Sequence, residues 1–413
     1  MTKNKNLPEF GPLSGVRVVH CTQSTAGPFG VQLLADYGAD VLWLENALAP
    51  DISRTSGQYA PEAERRNQRN LALNIPTDEG KKIFLQTIKD ADIFIETSKG
   101  GQWAKWGLSD EVLWEVNPRL VICHISGFGQ QGIPEYVKRP SYDAIAQAFG
   151  GLTAANRNPV TDPYPVGPYM ADYMTAFFVP ISCLAAYIKT QQTGIGESID
   201  LAQYEVVARC QQYQPDWFTA HRKIENAGDP SFMSGWGCYE CKDGAYLQCC
   251  LIGGGVLKKA IPFLGLEYGQ DPFPTGIALA KRAEESGKQF EKALANYLSA
   301  KTCDEAQAEM LAAGLPVQKI NELEDLENDP HVQERNLIEE ITNFKGEKIR
   351  YIGIVPKFEK NPGKTWRPAP WIGMDNEEVL KELGYSREEI RDLYEKKIIS
   401  HDDEMRWTMP YDK

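Results

Sequence analysis

A single carboxylate stands at the approach to a long apolar segment. Asp172 follows the turn-forming pair Gly167-Pro168 and precedes an uncharged run, 174–188, that is typical of a buried helix. At the start of a helix an aspartate accepts hydrogen bonds from free backbone N–H groups, and the helix dipole favours its ionised form. Two interpretations of Asp172 stay open on this pattern: a helix N-cap, and a carboxylate nucleophile held ionised at neutral pH.

A lysine and two glycines form a second group that could bind a ligand. Lys99, Gly100 and Gly101 follow a predicted strand at 93–96, so a positive side chain and free backbone N–H groups lie at the carboxyl end of a strand. Ligands of α/β sheets bind at this end of the strands, and such a group suits a phosphate. A solvated loop lysine explains the same pattern.

Three successive glycines, Gly253, Gly254 and Gly255, follow a predicted hairpin at 236–251. A glycine run of this kind forms either an ordinary turn or a mobile loop that closes over a site. Composition does not separate the two, so the three glycines are candidates for a site loop.

Two further motifs match ligand patterns only in part. Gly127, Gly129 and Gly132 fit G-x-G-x-x-G, but Pro134 follows where a dinucleotide-binding helix would begin, and no acid lies about twenty residues on. A glycine turn at the end of a strand explains them better. The single C-x-x-C at 238–241 and five histidines without ligand spacing favour free thiols, and no metal site is expected.

Short apolar segments alternate with helical ones over the first half of the chain. This alternation predicts a doubly wound, Rossmann-like α/β domain with a parallel sheet. The predicted strands are 15–20, 40–45, 71–75, 93–96, 120–125 and 197–201, the predicted helices between them are 31–37, 78–89 and 109–114, and a helix at 202–210 follows the last strand.

The composition changes near residues 228–230, where Gly, Asp and Pro follow one another. The segments beyond this point predict a smaller α+β domain with a hairpin, a helical stretch at 278–311 and a Pro-rich end. The predicted organisation is a large domain at 1–215, a linker at 216–228, a small domain at 229–330 and a C-terminal segment at 331–413.

Charge and composition exclude several partners. The 413 residues carry a net charge of −13, which argues against nucleic acid and against an anionic membrane surface. No apolar stretch follows the first six residues, and the run at 174–188 is too short to span a membrane. Nine scattered cysteines suit a reducing compartment, so a cytoplasmic protein is expected.

In their order and spacing these segments resemble the family III CoA-transferases over nearly the whole chain. No single segment is specific, but together they match the family. They are 15–45 with Ala26-Gly27-Pro28, then 66–74, 92–107, 126–129, Tyr142-Asp143, Asp172, 196–200, Asp243-Gly244 and Asp329-Pro330.

The resemblance implies roles for several residues. Asp172 falls on the catalytic aspartate of the family, which forms an aspartyl-CoA thioester intermediate. Lys99 falls on a lysine that contacts coenzyme A (CoA), with Gly100 beside it. An arginine found just before Gly107 in members acting on carnitine is Trp106 here, and Lys105 is the candidate to replace it.

The resemblance also implies the fold and the substrates. Family members are interlocked homodimers in which the C-terminal segment returns to the large domain. The match is strongest to members that act on carnitine, γ-butyrobetaine or crotonobetaine, with the CoA thioester as cosubstrate and no tightly bound cofactor. Another carboxylic acid as acceptor, and an acyl-CoA racemase of the same fold, stay open as alternatives.

Overall fold

The computed structural model describes residues 7–55, 59–156, 162–212, 214–221 and 232–402. The first six residues and the boundary predicted at 228–230 lie outside these ranges. The chain forms two compact units, one of residues 1–153, 165–212 and 334–413 and one of residues 154–164 and 213–333. A helix at Gln214–Ala220 covers the start of the segment predicted as a linker.

Strands and helices alternate in the first unit, and antiparallel strands with helices form the second. In chain order the strands are β1 Arg17–Cys21, β2 Asp40–Glu45, β3 Gln68–Ala72, β4 Ile93–Thr97, β5 Val121–Ser126, β6 Glu197–Ala202, β7 Trp236–Glu240, β8 Tyr246–Cys250, β9 Val317–Lys319, β10 Ile338–Thr342 and β11 Lys348–Ile352.

The helices are α1 Ala26–Asp36, α2 Ala60–Glu64, α3 Asp78–Ile88, α4 Gln102–Lys105, α5 Asp110–Val116, α6 Pro134–Val137, α7 Asp143–Phe149, α8 Leu152–Ala155, α9 Met170–Thr193, α10 Gln203–Arg209, α11 Gln214–Ala220, α12 Gly254–Phe263, α13 Glu285–Ser299, α14 Cys303–Ala312, α15 Leu323–Asn328, α16 Pro330–Glu334, α17 Asn376–Glu382 and α18 Arg387–Glu395. A 3₁₀ turn at Ile52–Thr55 precedes α2.

The first unit is built on a six-stranded sheet in the order β3-β2-β1-β4-β5-β6. Every strand pair in it is parallel, which confirms the predicted doubly wound sheet. Strands β2 and β3 are added on one side of β1, and strands β4 to β6 are added on its other side, so the switch point lies between β1 and β4. In such sheets, ligands bind beyond the carboxyl ends of the strands at this switch point.

Both faces of the sheet are covered, because successive strand residues point to opposite sides. Val19 and Phe94 face a layer that contains α3, α5, α17 and α18. Val18 and Ile95 face the opposite layer, which contains α1 and α9. The apolar runs of β1 and β4 are therefore explained by burial on two sides.

Strand β3 is a correction to the sequence prediction, because it begins at Gln68 and not at 71. The basic segment before it is buried, and its charges are paired. Arg66 meets Asp36 at 2.6 Å and Arg69 meets Glu382 at 3.1 Å. Buried charges are tolerated only with such partners, and apolar periodicity cannot reveal them.

Helix α9 is also longer than predicted, since it runs for 24 residues instead of fifteen. The expectation that this segment is too short to span a membrane is therefore wrong on length: α9 is long and apolar enough to do so by length and composition alone. The core helix of a globular protein meets the same criterion. Val179 and Cys183 of α9 are buried in the core that α1 and the sheet share.

The second unit contains the antiparallel sheet β7-β8-β9 and a helical core. The predicted hairpin is confirmed, with Gly244 in the left-handed conformation at its turn. The helical stretch predicted at 278–311 is two helices. They are separated at Thr302, which forms a capping box with Glu305 at the start of α14.

The C-terminal part of the first unit, from residue 375 to residue 398, packs against β3. Asp375 and Asn376 accept hydrogen bonds from the backbone N–H groups of Asn70 and Ala72, at 2.8 and 3.0 Å. The backbone N–H of Asn74 donates to the carbonyl of Ile398 at 2.7 Å. The outer side of β3 is thus paired with residues more than 300 positions later in the chain.

Candidate active site

Asp172 is the third residue of α9 and not its N-cap, so the N-cap interpretation is wrong. The cap position belongs to Tyr169, whose backbone is left-handed with φ of 45°. The turn of chain that precedes the helix therefore ends three residues before the aspartate. Asp172 is 9% exposed in the first helical turn.

Three helices meet at Asp172. Its Oδ1 accepts a hydrogen bond from the side-chain amide of Gln203, the first residue of α10. Its backbone N–H donates to Oδ1 of Asp143, the first residue of α7, at 3.1 Å. These bonds fix the aspartate on rigid elements, which is what a reacting group requires.

The approach to α9 is held by a second amide. Gln147 donates to Oδ2 of Asp143 at 2.7 Å and to the carbonyl of Val166 at 2.9 Å. Its own carbonyl accepts from the backbone N–H of Val166 at 2.8 Å. Asp143, and through it Asp172, is therefore tied to the turn that leads into the helix.

Burial raises the pKa of Asp172 to about 7, with further contributions from the carboxylates of Asp143 and Glu64. The hydrogen bond from Gln203 acts in the opposite direction but is smaller. This differs from the expectation that the helix N-terminus favours the ionised form at neutral pH. Desolvation and two like charges outweigh the helix dipole, so the carboxyl exchanges its proton near neutral pH.

Glu64, the last residue of α2, is the second carboxyl of the site. Its Oε1 accepts a hydrogen bond from the hydroxyl of Tyr173 at 3.3 Å, and its Oε2 lies 3.5 Å from Nη1 of Arg65. Burial raises the pKa of Glu64 to about 7, although the positive charge of Arg65 lowers it. Two carboxyl groups with similar proton affinity therefore share this region.

Aromatic rings lie beside the two carboxyl groups. The ring of Tyr173 meets Phe29 of α1 edge to face, with centroids 5.0 Å apart, and Phe29 meets Phe177 at 6.0 Å. Gly30 lets helices α1 and α9 approach closely, because a Cβ at this position would lie 2.7 Å from Cβ of Val179 in α9. Helix α1 thus packs directly against the helix that carries the aspartate.

The N-terminus of α1 lies at the switch point of the sheet. A Cβ on Gly27 would lie 2.6 Å from Cβ of Thr22 after β1 and 2.8 Å from Cγ2 of Thr97 in β4, so only glycine fits between the two strand ends. The side chain of Thr25 does not cap the helix. The free backbone N–H groups of such a helix end favour an anionic ligand.

Lys99 and Gly100 follow β4 on the same edge of the sheet. The side chain of Lys99 is exposed, and Gly100 is buried. A Cβ on Gly100 would collide with Val137 and would lie 3.0 Å from the carbonyl oxygen of Gly129. The loop that carries Lys99 therefore packs directly on the predicted glycine turn after β5.

Lys105 and Trp106 occupy the end of α4. Lys105 is exposed in the last turn, and the ring of Trp106 packs edge to face on Trp103 with centroids 5.4 Å apart. Trp106 belongs to the core layer beneath α4. Trp106 carries no charge, whereas Lys105 exposes a positive charge to solvent.

Gly253, Gly254 and Gly255 lie in the second unit. Gly253 caps α12 with φ of 89°, and Gly254 and Gly255 are its first helical residues. The interpretation as a loop thus holds for Gly253, while its two neighbours are helical. Within the described ranges, no group of three or more His, Cys, Asp or Glu side chains could hold a metal ion.

The model of CoA-transferase family III matches residues 13–376. The chain belongs to CoA-transferase family III. It is 40% identical over 398 residues to the bile acid CoA-transferase BaiK of Clostridium scindens, a match that covers 95% of this chain and 90% of that protein. It is also 40% identical over 403 residues to the L-carnitine CoA-transferase of Proteus mirabilis, covering 96% and 98%.

Solved structures agree with this assignment. A CaiB/BaiF family protein from Brucella suis superposes with a TM-score of 0.77 at 26% identity, over 91% of this chain and all of that one. Rv3272 from M. tuberculosis gives the same TM-score at 22% identity, over 89% and 99%, and shows the shared fold. The resemblance found in the sequence is thus confirmed, and the protein is a CoA-transferase.

Sequence reasoning missed part of the candidate site of this CoA-transferase. Gln203 and Gln147 carry no signal in the sequence, because amides become informative only when the fold brings a carboxylate to them. Glu64 lies in the charged segment 62–69, which indicates a solvated surface until its burial is known. Asp143 could have been recognised from the sequence, because the pair Tyr142-Asp143 is one of the segments that match the family.

Proposed function

We propose that this CoA-transferase moves CoA from an acyl-CoA thioester to a small carboxylic acid through an aspartyl-CoA thioester on Asp172. The observation that carries the proposal is the position of Asp172: it is a buried carboxyl at the start of α9, bonded to Gln203 and to Asp143, in a chain of this family. Its pKa of about 7 leaves a substantial ionised fraction at neutral pH.

The proposed reaction proceeds through four acyl transfers. The carboxylate of Asp172 attacks the thioester carbonyl, and the C–S bond breaks to give a mixed anhydride and CoA thiolate. The thiolate attacks the aspartyl carbonyl, which releases the original acid as a carboxylate and leaves aspartyl-CoA. The acceptor carboxylate then attacks this thioester, and its C–S bond breaks to give a second mixed anhydride and CoA thiolate. The thiolate finally attacks the acceptor's carbonyl, which releases the carboxylate of Asp172 and gives the new thioester. Burial of Asp172 helps to keep water from the anhydrides.

CoA is proposed to bind at the switch point of the sheet. The exposed amines of Lys99 and Lys105 and the loop backbone at Gly100 would meet its phosphates, and the N-terminus of α1 adds free N–H groups at the same edge. Gly253, Gly254 and Gly255 are proposed as a segment that shields the bound thioester. CoA is a cosubstrate, and no tightly bound cofactor is proposed.

The acceptor is proposed to be a trimethylammonium acid: carnitine, γ-butyrobetaine or crotonobetaine. The L-carnitine CoA-transferase relative and the aromatic rings beside Asp172 support this class, since quaternary ammonium groups bind to aromatic faces. A bile acid is the second candidate, because BaiK is equally identical. An acyl-CoA racemase of this fold is the alternative in which no CoA moves.

The family resemblance also suggests an interlocked homodimer. A cytoplasmic location is proposed from the nine scattered cysteines, and the net charge of −13 supports the proposal that neither nucleic acid nor a membrane is a partner. We retain the division into a large domain at 1–215, a linker at 216–228, a small domain at 229–330 and a C-terminal segment at 331–413 as a proposal.

The proposal is tested with acyl-CoA labelled in its CoA moiety and a panel of acceptor acids, read by mass spectrometry. Transfer yields labelled acceptor-CoA, racemisation yields incorporation of solvent deuterium without transfer, and simple binding yields neither. Asp172→Asn should abolish transfer and leave the fold intact, because an amide is not a nucleophile here. Substantial transfer by that variant would reject Asp172 as the nucleophile.

A further inference from the structure

The surroundings of Asp172 are strongly negative. The charged groups that act on its carboxyl are Asp143 and Glu64, both acidic. Arg65 lies beside Glu64, but its guanidinium also pairs with the buried carboxylate of Asp51 and donates to the carbonyl of Ser24. The single positive charge of Arg65 is thus shared between two carboxyl groups, Glu64 and Asp51, so it offsets only part of the negative charge near Asp172.

This imbalance disfavours an ordinary anionic acceptor. A carboxylate that enters to attack aspartyl-CoA is repelled by Asp143 and Glu64, and repulsion between like charges increases when water is excluded. A zwitterionic acid avoids this cost, because its own cation accompanies the carboxylate. Its net charge is zero, and its positive end can be stabilised by the carboxyl groups that would repel an anion.

Glu64 is placed to receive that positive end. Its side chain is 13% exposed, so the group is partly desolvated and still reachable. The hydroxyl of Tyr173, the residue that follows Asp172, orients it at 3.3 Å, and the Tyr173 ring packs on Phe29. A carboxylate beside aromatic rings is the combination that holds an ammonium group without hydrogen-bond donors.

We infer that Glu64 and Tyr173 form the specificity subsite for the cationic end of a zwitterionic acceptor acid. The inference rests on the proposed function and deepens it, because it names the residues that separate carnitine-like acids from uncharged or purely anionic ones. Glu64 acts on the substrate's cation in this role. A merely structural Glu64 would affect all acceptors alike.

The experiment compares two acceptors of matched shape, carnitine and 3-hydroxy-5,5-dimethylhexanoate, in which carbon replaces the quaternary nitrogen. Wild-type enzyme should prefer carnitine by roughly 2- to 30-fold in kcat/KM. Glu64→Gln should bring the two acceptors within about 2-fold of each other, chiefly by raising KM for carnitine. Glu205→Gln removes an exposed carboxyl from α10 and should keep the wild-type preference.

The outcomes separate this inference from the proposed function. Wild-type enzyme that transfers CoA without preferring carnitine, or a Glu64→Gln variant that loses both acceptors equally, overturns the subsite and leaves CoA transfer standing. Absence of transfer to any acid overturns the proposed function itself. If Glu64→Gln does not fold, Tyr173→Phe decides: it removes the hydroxyl that holds Glu64, so an unchanged preference overturns the inference.

Discussion

As the proposed nucleophile, Asp172 combines two properties that oppose each other. Burial removes the hydration shell that would lower the nucleophilic reactivity of the carboxylate, but the same burial raises its pKa to about 7. An acid with a lower pKa would be ionised more often yet more strongly solvated. The site therefore favours reactivity of the ionised form over its abundance at neutral pH.

The first prediction concerns pH. Because only the ionised carboxyl attacks, transfer should increase as pH rises through about 7 and reach a plateau above it, with little activity near pH 5. Glu64 titrates in the same range and Asp143 lies beside Asp172, so the apparent pKa belongs to the coupled groups. The measurement is kcat/KM against pH.

Glu64→Gln provides the control for this profile. It removes one negative neighbour, so the apparent pKa should fall toward the acid side. A profile that is flat between pH 5 and 8 in wild-type enzyme would contradict the proposed state of Asp172.

The sequence identified single residues only where a motif carried them. Asp172 and Lys99 became candidates because they lie in segments that match the family. Glu64 could not be found, because its contact with Tyr173 joins positions 109 residues apart. The shifted pKa of Asp172 was also beyond the sequence, since it depends on burial and on neighbours from three other elements.

At the scale of elements, the loop after β4 is the segment proposed to bind the phosphates of CoA. Lys99→Ala should raise KM for acyl-CoA by a factor that corresponds to about 1.5–3 kcal/mol of binding free energy, because a charge-assisted contact to phosphate is lost. The loss should shrink at high salt. Steady-state kinetics with varied acyl-CoA measure both effects.

Lys89→Ala, at the exposed end of α3, is the matched control for charge and should leave KM unchanged. Lys105→Ala should give a smaller increase than Lys99→Ala if both amines meet phosphate groups. An unchanged KM in Lys99→Ala would remove this lysine from the site.

The start of α12 allows a clean test of the glycine segment. Gly254 is the first helical residue, where proline fits without loss of a helical hydrogen bond, so Gly254→Pro should fold. The substitution stiffens the segment. If Gly254 must move over the thioester, transfer should decrease and hydrolysis of acyl-CoA should increase.

Hydrolysis and transfer are read from the same reaction by mass spectrometry. Lys258→Ala, in the exposed part of the same helix, should leave both rates unchanged. If Gly254→Pro also leaves both unchanged, the segment has no shielding role.

Elements were predictable where apolar periodicity was strong. The strand at 40–45, the strand predicted at 93–96 and observed at 93–97, and the hairpin of the second unit follow from their patterns. Strand β3 was displaced in the prediction because its polar residues are buried through ion pairs. Helix α9 was shortened because polar residues interrupt the apolar run at both ends: Asp172 and Tyr173 lie in its first turn, and residues 189–193, which begin with Lys189, form its last turn.

At the scale of the whole molecule, we predict a dimer with twice the 46.3 kDa of one chain. Helix α9 exposes an apolar stripe of Phe177, Ile181 and Ile188, which are 51%, 63% and 58% exposed. Exposed apolar patches of this kind are typical of association surfaces. Light scattering coupled to gel filtration measures the mass.

Ile181→Glu should shift the mass toward one chain, because it places a charge in the stripe. Gln192→Glu introduces the same charge at an exposed position near the end of α9 and should leave the dimer intact. A wild-type mass of one chain would contradict the dimer.

The pairing of β3 with residues 375 to 398 has a consequence during synthesis. The partners of β3 are translated about 305 residues after it, which takes roughly 15–60 s at ordinary ribosome speeds. During that interval the nascent sheet has an open edge strand, a known template for aggregation. The yield of soluble protein in cells should therefore depend on chaperones that bind the unpaired edge of β3. Removal of the C-terminal segment should cause inclusion bodies more readily than removal of residues 1–6.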